Sequence, residues 1–127
     1  MRRAAPLLAA ALLSACAHHY EFPPPVAPRI GFVEEGVASW YGPGYHGKPT
    51  SSGEVYDQEA LTAAHASFAF GTRVRVTLLA TRRSVVVRIN DRFPNHKGRV
   101  IDLSKAAARE IGLIGPGTGR VRMEVVG

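Results

Sequence analysis

Three β-branched runs place the heaviest constraint on the fold: Arg73-Val74-Arg75-Val76-Thr77-Leu78, Ser84-Val85-Val86-Val87-Arg88-Ile89 and Arg120-Val121-Arg122-Met123-Glu124-Val125. The first and last alternate polar and apolar residues, the pattern of strands with one face in a core and the other in water. Val37 to Tyr41 and Arg99 to Leu103 are shorter strand candidates, with turn chemistry at Gly42-Pro43-Gly44, Ser51-Ser52-Gly53 and Gly115-Pro116-Gly117. Ser104 is a good helix N-cap, and Leu103, Ala107 and Ile111 recur at four-residue spacing before Gly112, so one short amphipathic helix is expected there. A second, weaker helical turn is expected over Asp57 to Leu61. With 127 residues, 46% apolar, 13 Gly and 9 Pro, the chain has room for one small, loop-rich domain. A small, mainly β barrel with one or two short helices fits this pattern.

The N-terminus reads as an address. Met1-Arg2-Arg3 is a short positive region, and Ala4 to Leu13 is an apolar stretch too short for a permanent membrane span. Residues 1–15 therefore read as an export signal. It ends in Leu13-Ser14-Ala15-Cys16, which resembles the bacterial lipobox, and Cys16 is the chain's only cysteine. Lipidation of Cys16 is the expected anchor, and Ala17 in the next position favours outer-membrane placement facing the periplasm. A lone cysteine excludes an intrachain disulfide framework and any multi-cysteine metal site. Residues 16–35, with Pro23-Pro24-Pro25 and Pro28, read as a flexible extended tether, and 36–127 as the domain. His18 and His19 have no further ligand nearby, so no metal is expected. The formal charge is +6; without Arg2 and Arg3 it is +4, a modest excess that, outside the cytoplasm, does not point to nucleic acid.

The acids of the barrel region are Glu54, Asp57, Glu59, Asp91, Asp102, Glu110 and Glu124. Counting alternately back from Asp91 puts it on the side of Ile89, Val87 and Val85, where the end of an apolar face would desolvate a carboxyl and raise its pKa. Asp91 is therefore the best acid; the bland alternative is an Asp capping the turn Asn90-Asp91-Arg92. Trp40 and Tyr41, before a Gly-Pro-Gly turn, are placed to offer an aromatic face to a sugar ring, with core packing an equal reading for Trp40. Lys48, Arg88, Arg92 and Arg99 are candidates to line a groove facing carboxylates, or else solvated surface. No Ser-His-Asp or Cys-His order, phosphate loop or clustered metal-ligand spacing is present in the barrel region, so no cofactor is expected.

Seven blocks carry a resemblance: Gly36-Val37-Ala38-Ser39-Trp40-Tyr41-Gly42, His46-Gly47-Lys48-Pro49-Thr50, Gly53-Glu54-Val55-Tyr56-Asp57, Leu61-Thr62-Ala63-Ala64-His65, Gly71-Thr72-Arg73-Val74-Arg75-Val76, Val87-Arg88-Ile89-Asn90-Asp91-Arg92 and Gly98-Arg99-Val100-Ile101-Asp102-Leu103-Ser104. In that order they resemble the rare lipoprotein A family. The resemblance implies a six-stranded double-psi β-barrel and endolytic lytic transglycosylase action on peptidoglycan glycan strands, preferably strands without stem peptides. It implies Asp91 as the catalytic aspartate, with Glu54 and His65 as further active-site positions. A non-catalytic, expansin-like glycan binder is the alternative, and a structural outer-membrane lipoprotein the third reading. Partners implied are glycan strands, a membrane through Cys16, and cell-wall or division proteins, with the chain acting as a monomer. Two features are set against the family pattern: Phe93 stands where Gly usually follows Asn-Asp-Arg, and the sequence reads to Gly127, where many members go on into a C-terminal repeat domain.

Overall fold

The computed structural model describes residues 20–94 and 97–127. Residues 1–19, which hold the expected export signal, Cys16, Ala17, His18 and His19, lie outside the described residues. Six strands form the body: β1 (Val33–Trp40), β2 (Thr62–Ala64), β3 (Arg73–Leu78), β4 (Ser84–Asp91), β5 (Arg99–Leu103) and β6 (Thr118–Val125), with helix α1 (Lys105–Ile111) between β5 and β6. They close into a barrel in the order β1-β5-β2-β4-β3-β6. The pairs β1–β5 and β2–β4 are parallel and the other four antiparallel. Closure removes the free sheet edges that runs as apolar as β3 and β4 would otherwise expose.

The inward residues are those the alternation marks. Val74, Val76, Val87, Ile89, Val121 and Met123 are buried together, joined by Ile101 and Leu103 from β5. Helix α1 plugs this core with Ala107, Ala108 and Ile111. Its N-cap is Ser104, whose hydroxyl accepts from Ala107 N and donates to Ala60 O at 2.7 Å. Such an N-cap contributes about 1 kcal/mol, and Gly112 ends the helix in the left-handed conformation at φ +83°. Gly36 is needed for a different reason. The β1–β5 register skips Val100, and a Cβ on Gly36 would lie 2.5 Å from Val100 Cγ1, so only a bare backbone fits beside this bulge.

Two local expectations are corrected, and one strand is added. The barrel chain begins before residue 36: β1 starts at Val33, Gly31 N donates to Val125 O, and Val26 exchanges backbone bonds with Ser67 and Ala69 at 2.7 Å each. Backbone pairing, which needs no side-chain pattern, ties down this end of the Pro-rich segment. Asp57 to Leu61 forms no helix; a single turn is closed by Ala60 N donating to Asp57 O, and the short 3-10 turn is Pro43–Tyr45 instead, with Pro at its start. Strand β2 escapes sequence detection because Thr62-Ala63-Ala64 is three residues long and carries no alternation. Among the described residues no helix is long and apolar enough to cross a membrane.

Candidate active site

Strand register builds the site. Ala64 of β2 is the partner of Asp91 on β4 and of Asp102 on β5, and Ser39 of β1 is the partner of Asp102. One row therefore crosses four adjacent strands as Ser39, Asp102, Ala64, Asp91. Partners in a row project to the same face. The neighbouring row, Trp40, Leu103, Ala63 and Ile89, faces the core, so the row of acids faces outward. The expected side for Asp91 is corrected by a bulge: Ala63 pairs with Ile89 but Ala64 with Asp91, so Asn90 is extra and the alternation changes phase there. Asp91 is half-buried, and its Oδ1 accepts from Ser51 N at 2.9 Å and Arg92 N at 2.8 Å.

Burial acts most strongly on another acid. Desolvation pushes the Asp102 carboxyl up to about 6; the charge of Asp91 adds to this, while the Ser39 hydroxyl, donating at 2.9 Å, and the Arg99 charge oppose it. Asp102 was legible as an acid on a strand, but nothing in its neighbours along the chain marks it as desolvated. The Arg99 guanidinium donates to Ser39 Oγ and lies over the Phe93 ring, 5.7 Å from its centroid.

The three family positions converge on the end of β4. Glu54 reaches it from the Thr50–Glu54 turn: Arg88 donates to both carboxylate oxygens (2.6 and 3.0 Å) and Asn90 Nδ2 to Oε2 at 3.1 Å. These hydrogen bonds, Arg88 first, hold Glu54 below the usual carboxylate range and keep it ionised. Ser52 N donates to Asn90 O, so the turn is docked on the strand by backbone as well. His65 N donates to Asp91 O at 3.1 Å. The His65 ring is buried and stacked on Phe68 at 3.6 Å, and Nδ1 accepts from Ser67 N and Phe68 N. With Nδ1 filled, the proton sits on Nε2. Burial, with the nearby Arg92 charge, pulls its pKa down to about 4, so the ring is neutral at pH 7.

The expected sugar contacts divide. Arg88 is committed to Glu54. Arg92 is committed to the loop after β2: it donates to His65 O (3.2 Å) and Phe68 O (2.7 Å) and stacks on Phe70 at 4.1 Å. Trp40 is only half-exposed, packs against the core and lies over Gly42, where a Cβ would meet its ring at 2.9 Å. Tyr41 stacks on Tyr56 at 4.3 Å, which covers one face, and its buried hydroxyl faces the Asp91 carboxylate. Burial, then the charges of Asp91, Tyr56 and Asp102 and the hydrogen bond to Asp91, raise its pKa. The open aromatic is Tyr45, 58% exposed, set edge-on to Tyr41 with Lys48 Nζ 5.9 Å above its ring. Its only sequence signal was the Gly-Pro-Gly turn beside it. A cleft of about 490 Å³ beside α1, lined by Glu59, Leu61, Arg83, Ala106, Arg109 and Glu110, contains none of these residues.

The closed six-stranded barrel with a carboxylate row on its outer face defines a double-psi β-barrel domain. The family model for lytic transglycolases matches residues 33–123, and the chain belongs to that family. It is 52% identical over 103 residues to an endolytic peptidoglycan transglycosylase RlpA of Campylobacter jejuni, covering 81% of this chain and 38% of that protein. A probable endolytic peptidoglycan transglycosylase RlpA of Synechocystis is 56% identical over 100 residues, covering 79% and 31% respectively. The chain thus spans about a third of the length of these curated relatives. Among solved structures, a Streptomyces papain inhibitor superposes with TM-score 0.64 at 21% identity, covering 80% of this chain and 100% of that one. An apo expansin of Clavibacter michiganensis superposes with TM-score 0.59 at 22% identity, covering 76% of this chain and 51% of that one. At such identities these two structures establish the shared fold alone.

Proposed function

We propose that this domain cleaves peptidoglycan glycan strands as an endolytic lytic transglycosylase. The observation that carries the reading is the convergence of Asp91, Glu54 and His65 on the bulged end of β4, in a chain about half identical to proteins named for that activity. The reaction is non-hydrolytic. The 6-hydroxyl of N-acetylmuramic acid closes on its own C1 as the glycosidic oxygen is protonated, which needs carboxyl groups but no activated water. Asp91 is the reacting carboxylate. Ionised Glu54 and neutral His65 flank it, Arg88 and Arg92 hold those two in place, Tyr41 and Arg99 border the row, and Tyr45 with Lys48 extends the surface beyond Tyr41. Trp40 packs against the core and the Gly42 backbone, beneath the turn that follows Tyr41.

The test is incubation with peptide-free glycan strands, followed by mass spectrometry of what is released. Fragments one water lighter than hydrolysis products are expected. Co-sedimentation with no fragment released would overturn cleavage in favour of an expansin-like binder.

Placement in the cell envelope follows from the same substrate. The lipobox-like Leu13-Ser14-Ala15-Cys16 supports a lipid anchor at Cys16 in the outer membrane. Cys16→Ser is expected to leave the protein soluble in the periplasm or unprocessed; a mature-size variant still in outer-membrane fractions after a high-salt wash would refute the anchor.

A further inference from the structure

The row on the outer face of the barrel holds two carboxyl groups in unlike surroundings, and the reaction needs two unlike proton tasks. Asp91 Oδ1 accepts two backbone N–H groups, from Ser51 and Arg92. Amide donors keep their protons, so they favour the charged oxygen, as suits a group that must receive a proton. Asp102 has a different shell. Among the described residues Ser39 is the one donor to it, bonding Oδ1, and no donor is found for Oδ2. The nearest cation is set back by one residue: Arg99 bonds to the Ser39 hydroxyl, and no ion pair within 4 Å joins Arg99 to Asp102 among the described residues. A direct guanidinium–carboxylate pair would hold the acid ionised; a serine between them leaves it free to carry a proton. Phe93 is buried against Arg99, with the guanidinium 5.7 Å from the ring centroid, and keeps that cation on the Ser39 side. The departure from the family pattern at position 93 therefore falls inside this shell.

We propose that Asp102 is the proton donor of the reaction, that Ser39, Arg99 and Phe93 are its positioning residues, and that Asp91 receives the proton of the attacking hydroxyl. The inference rests on the transglycosylase reading. In the step, the proton on Asp102 passes to the glycosidic oxygen. The C1–O bond breaks with its electron pair on that oxygen, and O6 of the same muramic residue forms the C1–O6 bond. The O6 proton goes to Asp91. One proton leaves Asp102 and one arrives on Asp91, so no co-reactant is consumed, and exchange with solvent after product release restores both. The row spacing suits this division. Asp91 and Asp102 stand two strands apart on either side of Ala64, about 10 Å between Cα atoms at ordinary strand separation, so a donor and an acceptor can address opposite sides of one bond.

The groups facing Asp102 give the pH dependence its sign. They are Ser39 from β1, Arg99 from β5, Asp91 from β4, and the Tyr41 and Tyr56 phenols. A donor must be protonated, so cleavage should fall as pH rises through about 6. Ser39→Ala removes a bond that favours the ionised form and should move this alkaline limb to higher pH. Asp102→Asn keeps an acceptor for Ser39 but has no proton to give, and should lower release of anhydro fragments at least 100-fold while glycan co-sedimentation persists. The same variant should melt at a higher temperature than wild type at pH 7.5, and this gain should shrink by pH 4, because it no longer has a charge to bury. The experiment measures fragment release from peptide-free glycan between pH 4 and 8, with co-sedimentation and thermal melts, for wild type and both variants. Release by wild type with an unchanged rate in Asp102→Asn, or an alkaline limb unmoved by Ser39→Ala, overturns the donor assignment alone. No release by wild type at any pH overturns the transglycosylase reading itself. If Asp102→Asn does not fold, the Ser39→Ala limb decides.

Discussion

Asp91→Asn is expected to lower glycan cleavage by about 10²- to 10⁴-fold, the range that a positioned acid–base group supplies, with folding and glycan binding retained. The side-chain oxygen of Asn accepts from the same two amides, Ser51 N and Arg92 N, that Asp91 Oδ1 accepts from, so the end of β4 keeps its closure with the Thr50–Glu54 turn. What disappears is the capacity to hold a proton. Removing the charge also relieves Asp102, whose carboxyl Asp91 pushes upward, so residual activity should fade at a lower pH than in wild type. Mass spectrometry of released fragments, beside a pull-down on the same strands and a melt, separates the outcomes. Cleavage at the wild-type rate would remove Asp91 from the chemistry; joint loss of melting temperature and binding would make it a turn cap, the bland reading of Asn90-Asp91-Arg92.

The second large effect is on stability in acid and belongs to His65. Its pKa is about 4 in the fold against 6.5 for a free imidazole, so between those values the unfolded chain binds a proton that the folded chain refuses. Stability from this group is complete above pH 6.5 and is lost as pH falls toward 4, by at most about 3 kcal/mol. Asp102 runs the other way: its raised value means that the folded state gains relative to the unfolded one as pH falls from about 6. The two contributions oppose each other in the wild type. His65→Asn separates them, because the Asn oxygen can accept from the amides of Ser67 and Phe68, as in an Asx turn, without titrating. Relative to wild type, this variant is expected to be less stable at pH 7, where the Phe68 stacking is lost, and to recover most of the difference by pH 4. Urea unfolding at the two pH values measures this. A constant gap between variant and wild type would show that His65 does not titrate between 4 and 6.5.

Much of this molecule can be read along the chain because the physics involved is local. Alternation in β3 and β6, the apolar run of β4, the Ser104 cap and the Gly112 stop each act within a few residues, and each forms where its pattern lies. The catalytic carboxylate candidate was legible in the same way, as an acid ending an apolar strand. Tertiary structure decided the rest. It brought Ser39, Asp102 and Asp91 into one row through the pairings of β1, β5, β2 and β4, positions up to 63 residues apart in the case of Ser39 and Asp102. One extra residue at Asn90 reversed the face on which Asp91 stands, and a bulge depends on the partner strand as much as on its own sequence. Which acid is desolvated, and which arginine is already spent on Glu54 or on the backbone after β2, depends on neighbours that closure of the barrel supplies. Periodicity reports which face of a segment is buried; it carries no information about what is buried against it.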